Sequence, residues 1–168
     1  FSQGTSGTHA VRATAGLIPE IVTAKSRGAT DFTLDITGQL ADAGETDVLT
    51  VTIPENIVKH LANLDLVMQT PYGDLGLSGQ LVAALAAAGE GIAITLQAGD
   101  MGEVADELGA ADELLSQPVD ITTSLRGDIQ VTLDCSVVLP EDADERAAFL
   151  TNLYVLAIHA SDDVEQIG

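Results

Sequence analysis

Val131, Leu133, Cys135, Val137 and Leu139 stand at every second position and form the longest alternating stripe in the chain. A stripe of period two puts its apolar side chains on one face of a strand, so much of this chain must build sheet that is covered on one side and wet on the other. The same rule returns elsewhere. Phe32, Leu34 and Ile36 alternate with Asp31, Thr33, Asp35 and Thr37, and Leu49, Val51 and Ile53 alternate with Thr50 and Thr52. Ile92, Ile94 and Leu96 follow it, as do Val119, Ile121, Thr123 and Leu125 against Asp120, Thr122 and Ser124. The stretch from Leu153 to His159 is apolar in both phases and reads as a central strand.

Helical spacing fills the gaps. Ile18, Ile21, Val22 and Lys25 lie at helix intervals with Pro19 in the first turn, and Ile57, Val58, Leu61 and Leu64 repeat the pattern after Pro54. Ser78 is an N-cap for the Ala-rich run Leu81 to Ala88, Leu77 and Val82 have the spacing of a hydrophobic staple, and Gly89 is a stop. A further short helix is expected from Asp100 to Leu108. Thr70-Pro71-Tyr72-Gly73-Asp74 reads as a turn between the short strands Leu66 to Thr70 and Asp74 to Leu77. Arg126-Gly127-Asp128 reads as a Gly-centred hairpin pairing its two flanking strands antiparallel. A faint internal echo joins Ile18-Pro19-Glu20 to Ile53-Pro54-Glu55.

These elements predict an α+β fold with a mixed, largely antiparallel sheet and helices packed on one face. Residues 1–10 read as a linker or a vector-derived remnant, and residues 11–168 as a single module. The length suits one domain or two small ones.

Composition then removes whole classes of function. Six Lys and Arg face 26 Asp and Glu, a formal net charge of −20. That balance repels phosphate backbones and anionic membrane surfaces, so neither nucleic acid nor membrane insertion is expected. The longest apolar run, Leu81 to Ala88, is far short of the roughly 20 residues of a membrane-spanning helix. An apolar fraction of 46% supports a true core, and with no Trp, two Tyr and three Phe that core must be aliphatic. The same poverty argues against a sugar-stacking platform. The single cysteine, Cys135, forms no intrachain disulfide, and its place on an apolar strand phase reads as a small buried hydrophobe.

Few residues suggest chemistry. His9, His60 and His159 have no second His or Cys at ligand spacing. No Gly-x-Ser-x-Gly elbow and no glycine-rich phosphate cradle occurs. His159-Ala160-Ser161 lacks a third group to orient a base. Glu141, Asp142, Asp144 and Glu145 after Pro140, with Asp162 and Asp163 near the end, are the candidate calcium ligands, against the plainer reading of a solvated loop that caps a helix. Tyr72 and Asp74 are the candidate partner contacts. Arg126-Gly127-Asp128 also spells an integrin-type tripeptide, although three residues in a turn are most often only a turn. No catalytic residue and no cofactor is expected, calcium being the one ion kept as a candidate.

The order of several segments is distinctive. Val51-Thr52-Ile53-Pro54 runs a strand into a Pro-led helix, followed by Leu66-Val67-Met68-Gln69-Thr70-Pro71-Tyr72-Gly73 and by Leu75-Gly76-Leu77-Ser78 opening an Ala-rich helix. Ile92-Ala93-Ile94-Thr95-Leu96, Pro118-Val119-Asp120-Ile121-Thr122 and the stretch from Val131 to Pro140 come next, before Leu153-Tyr154-Val155. Over Val11 to Gly168 this resembles the non-catalytic extracellular modules found beside S-layer homology repeats in Gram-positive cell-surface proteins. The resemblance implies a secreted or wall-associated structural or adhesive module that spaces or displays neighbouring domains. Its partners would be those domains, the cell wall or another surface protein. The resemblance also implies a further strand past Gly168, so the chain reads as a trimmed piece. A calcium- or protein-binding module is the alternative, and an enzymatic or self-cleaving domain the remaining one.

Overall fold

The computed structural model describes residues 7–40, 46–99, 102, 118–133, 140–152, 155–158 and 164–167. The chain falls into two compact units, Phe1–Cys135 and Ser136–Gly168. The fold is α+β, with mixed sheets of mostly antiparallel strands.

The first unit holds two four-stranded sheets. One has the order β1 (Gly7–Arg12), β3 (Thr46–Ile53), β6 (Ile92–Ala98), β7 (Val119–Thr123). The other has the order β2 (Asp31–Asp35), β4 (Asp65–Thr70), β5 (Gly73–Leu77), β8 (Ile129–Thr132). In both, the first pair is parallel and the next two are antiparallel. The alternating stripes predict strands but do not say how many sheets share them, and the chain distributes them between two.

Helices carry the chain from sheet to sheet. α1 (Ile18–Ser26) joins β1 to β2, α2 (Ile36–Gln39) joins β2 to β3, α3 (Glu55–Leu61) joins β3 to β4, and α4 (Gly79–Ala88) joins β5 to β6. α3 packs against both α1 and α4, so these three lie in a row with α3 in the middle. The internal echo has a structural counterpart here. Pro19 opens α1 and Pro54 caps α3, and the two strand–helix–strand units β1-α1-β2 and β3-α3-β4 lie side by side.

One core serves both sheets. Leu49, Val51, Ile53, Ile92, Ile94 and Leu96 contribute from the first, and Leu34, Leu66, Met68, Leu75 and Leu77 from the second. Ile21, Ile57, Val58, Leu61, Val82 and Leu85 close it from the helices. No aromatic ring is fully buried among them; Phe32 and Tyr72 pack at the margin. The outer face of the first sheet is the predicted polar one. Ala10, Thr50, Thr95 and Thr122 stand in register across its four strands, and the Thr50 and Thr95 hydroxyls meet at 3.2 Å.

Local signals act where the sequence places them. The Ser78 hydroxyl accepts from Leu81 N at 3.2 Å, and α4 stops at Gly89. Other expectations need correction. β2 ends at Asp35, whose carboxylate accepts from Gly38 N, so Ile36 begins α2 rather than extending the strand. Residues 7–10 are not linker: they form most of β1, parallel to β3. Arg126-Gly127-Asp128 is not a hairpin either. β7 pairs with β6 and β8 with β5, so the tripeptide crosses from one sheet to the other. A glycine turn permits both arrangements, and the pairing of each strand with its own sheet decides between them. Of the helix expected from Asp100 to Leu108, only Gly102 is described, and it is helical; residues 134–139 of the longest stripe lie outside the described residues.

The second unit contains α5 (Ala143–Thr151) and an antiparallel pair, β9 (Val155–Ile158) with β10 (Val164–Ile167). β9 falls within the stretch from Leu153 to His159 that reads as a central strand, but among the described residues it pairs with β10 alone.

Candidate functional site: the Tyr72 turn

Connectivity gives the first unit two different ends. β1 and β3 finish, and β2 and β4 begin, beside the row formed by α1, α3 and α4. The opposite end gathers the start of β1, the start of β3, α2, the turn between β4 and β5, and the finish of β8. Charge divides accordingly. The five basic side chains of this unit, Arg12, Lys25, Arg27, Lys59 and Arg126, all belong to the helix end. The opposite end holds Asp35, Asp47, Asp74 and Asp120 with no Lys or Arg among the described residues.

Tyr72 is the centre of that acidic end. Thr70, buried at the finish of β4, donates its hydroxyl to Gly73 O at 2.6 Å and accepts from Tyr72 N at 3.2 Å. This side-chain bracket sets the two-residue turn. Tyr72 then reaches out of its own sheet, and its hydroxyl donates to Asp47 O in β3 at 2.8 Å. Burial of the phenol, and then the Asp47 carboxylate, raise its pKa above the ordinary 10.0. Gly73 has a φ of 129°, and a Cβ there would lie 2.5 Å from the Thr132 main-chain oxygen. The turn therefore touches the finish of β8 on one side and the start of β3, β1's partner, on the other.

Tyr72 thus ties two sheets together, and Asp74, the second residue of β5, stands opposite Thr132. Glu141, Asp142, Asp144 and Glu145 gather at the start of α5 in the second unit. Asp142 is its N-cap, with Oδ1 accepting from Asp144 N and Glu145 N at 3.0 Å each. Arg146 donates to Pro140 O and Glu141 O, so the acidic loop is folded back on its own helix. These contacts match the plainer reading of a capped, exposed helix start. Asp162, Asp163, His159, Ser161 and Cys135 lie outside the described residues. Among the described residues no three His, Cys, Asp or Glu side chains gather in a way that could hold a metal ion, and no helix is long and apolar enough to cross a membrane. His60 is exposed on α3.

His9 is the residue that sequence reading misplaced. It is 3% exposed on the core face of β1, opposite Leu49, and neither ring nitrogen has a hydrogen-bond partner. The signal was present: His9, Val11 and Ala13 continue a period-two stripe, and polar composition upstream concealed it. The shallow depression of about 380 Å³ on α1 is lined by Pro19, Glu20, Thr23, Ala24 and Arg27. All five belong to one helix and its cap, so it is an outer helix face and not a cleft between elements.

No protein-family model, no curated protein and no solved structure matches this chain.

Proposed function

We propose that this chain is a non-catalytic display module of a secreted or wall-associated bacterial surface protein. One observation carries the reading: β1 starts and β8 finishes beside the same Tyr72 turn. A chain that comes in and goes out at one end holds the other end away from its attachment. Within the first unit, the end opposite the Tyr72 turn is the row of α1, α3 and α4 with the crossing at Gly127. In-line spacing is served better by attachment points at opposite ends, so display is preferred over spacing.

Two further features support the reading. The outer Thr and Asp rows of the first sheet keep its exposed face polar and disfavour stacking of sheets. The resemblance of the segment order to extracellular modules beside S-layer homology repeats supports a Gram-positive cell-surface setting. The test is location. Antibodies raised to the purified protein should label intact, unpermeabilised cells of the source organism. Labelling that appears only after permeabilisation would overturn the proposal.

A further inference from the structure

We infer that the acidic end of the first unit is a salt-sensitive element, whether or not the chain is a display module. It tightens as dissolved cations screen its carboxylates and loosens when ionic strength falls.

Three observations converge on this end. The first is an uneven distribution of charge within the unit. At the helix end, Arg12, Lys25, Arg27, Lys59 and Arg126 stand among Glu20, Asp31, Glu55, Asp65, Glu90 and Asp128, close to balance. At the opposite end, Asp35, Asp47, Asp74 and Asp120 meet no Lys or Arg among the described residues. The second is that the scarce cations neutralise little. The one ion pair among the described residues is Lys59 with Glu55 at 2.8 Å, both exposed on α3. Lys25 and Arg146 donate instead to main-chain oxygens. The third is a tertiary contact inside the unbalanced field. The Tyr72 hydroxyl bonds to Asp47 O across the two sheets, and burial and then the Asp47 carboxylate raise the Tyr72 pKa, so the field of that carboxylate reaches the contact.

The chain as a whole compounds the effect. Its formal net charge of −20 lies far outside the magnitude of about 2–8 that keeps a small domain soluble. Like charges on a folded chain repel one another and oppose compaction. A neighbouring cation would offset that repulsion; among its described residues this end has none, so the offset comes from solution. The screening length falls from about 30 Å at 0.01 M salt to about 3 Å at 1 M. Across that range the carboxylates of one end pass from all sensing one another to hardly doing so. The response is to ionic strength and not to one kind of cation, since screening needs no fixed site.

The test follows the purified full chain at neutral pH in NaCl from about 0.01 to 1 M, by thermal melting and by amide hydrogen exchange. The melting temperature is expected to rise by about 5 °C or more, and KCl at equal ionic strength should match NaCl. Exchange at α2, the first residues of β3 and the Tyr72 turn should slow with salt more than exchange at α1, α3 and α4. Salt excluded from a protein surface also strengthens apolar burial, and a variant separates the two causes. It combines Asp35→Asn, Asp47→Asn, Asp74→Asn and Asp120→Asn. Asparagine keeps the side-chain oxygens that accept from Gly38 N and Gln97 Nε2. The variant should melt above the parent chain at the lowest salt and level with it at the highest. The inference is overturned by a parent melting temperature that does not rise with salt, by a rise with one cation only, or by equal slowing at both ends. A gap between variant and parent that stays the same at both salts would also overturn it.

Discussion

The Tyr72 hydroxyl donates to the main-chain oxygen of Asp47 across 25 residues of sequence, and this single bond joins the β4–β5 turn of one sheet to the first residues of β3 in the other. The phenol is half-buried, with its ring against the margin of the shared core. Tyr72→Phe keeps the ring and removes the bond. It is expected to lower stability by about 1 kcal/mol, the usual net worth of such a hydrogen bond. Urea unfolding should show a lower midpoint with an unchanged slope.

The same residue sets an alkaline limit. Its pKa in the folded protein lies above 10.0, raised by burial and then by Asp47. The folded state therefore favours the protonated phenol more than the unfolded chain does. That contribution is complete below pH 10.0 and is lost as pH rises through the higher folded value. Melting temperature measured through this range should fall less steeply in Tyr72→Phe than in the parent chain.

His9→Leu should raise stability. The imidazole is buried with neither nitrogen partnered, so an apolar replacement of similar size removes an uncompensated polar group while keeping the contacts of β1's core face. A gain of about 1 kcal/mol is expected, read as a higher thermal midpoint. A loss of that size would show that the ring nitrogens are satisfied in solution.

Asp142→Ala should loosen α5. The carboxylate accepts from two main-chain donors at the helix start, and its loss is expected to destabilise the helix by about 1 kcal/mol. Faster amide exchange at Asp144 and Glu145 would report it. For the same reason calcium at about 1 mM, the range of weak extracellular sites, should leave the melting temperature unchanged at constant ionic strength.

Ile94→Ala opens a hole at the centre of the first sheet, where the side chain is fully buried between β3 and β7. A loss of about 2–5 kcal/mol is expected in denaturant unfolding. The exposed Val22→Ala, on α1, should fall within about 0.5 kcal/mol of the parent.

The elements that were legible are those in which local and tertiary preferences agree. Ser78 and Gly89 bound α4 because cap chemistry is local, and Leu49, Val51 and Ile53 lie inward because period two admits no other face. What failed was non-local. Arg126-Gly127-Asp128 contains nothing that tells a hairpin from a crossing, because the choice is made by β5 and β6, more than 25 residues upstream. β1 was concealed for a different reason: as an edge strand among the described residues it needs only one apolar phase and one neighbour, and Thr8 and Ala10 on its outer phase read as linker. The Tyr72 turn was recognisable as a turn from Pro71 and Gly73, but its bond to Asp47 was not, since nothing in the sequence sets the two sheets against each other.

The edge positions of β1 and β8 also decide how this unit responds to force. Among the described residues each is bonded along one side only, to β3 and to β5, and the start of β1 and the finish of β8 lie at the acidic end of the first unit. Tension drawn sideways between those two ends would peel the ladders open one rung at a time instead of shearing whole strands at once. The unit should therefore yield at low load when it is pulled between those two ends.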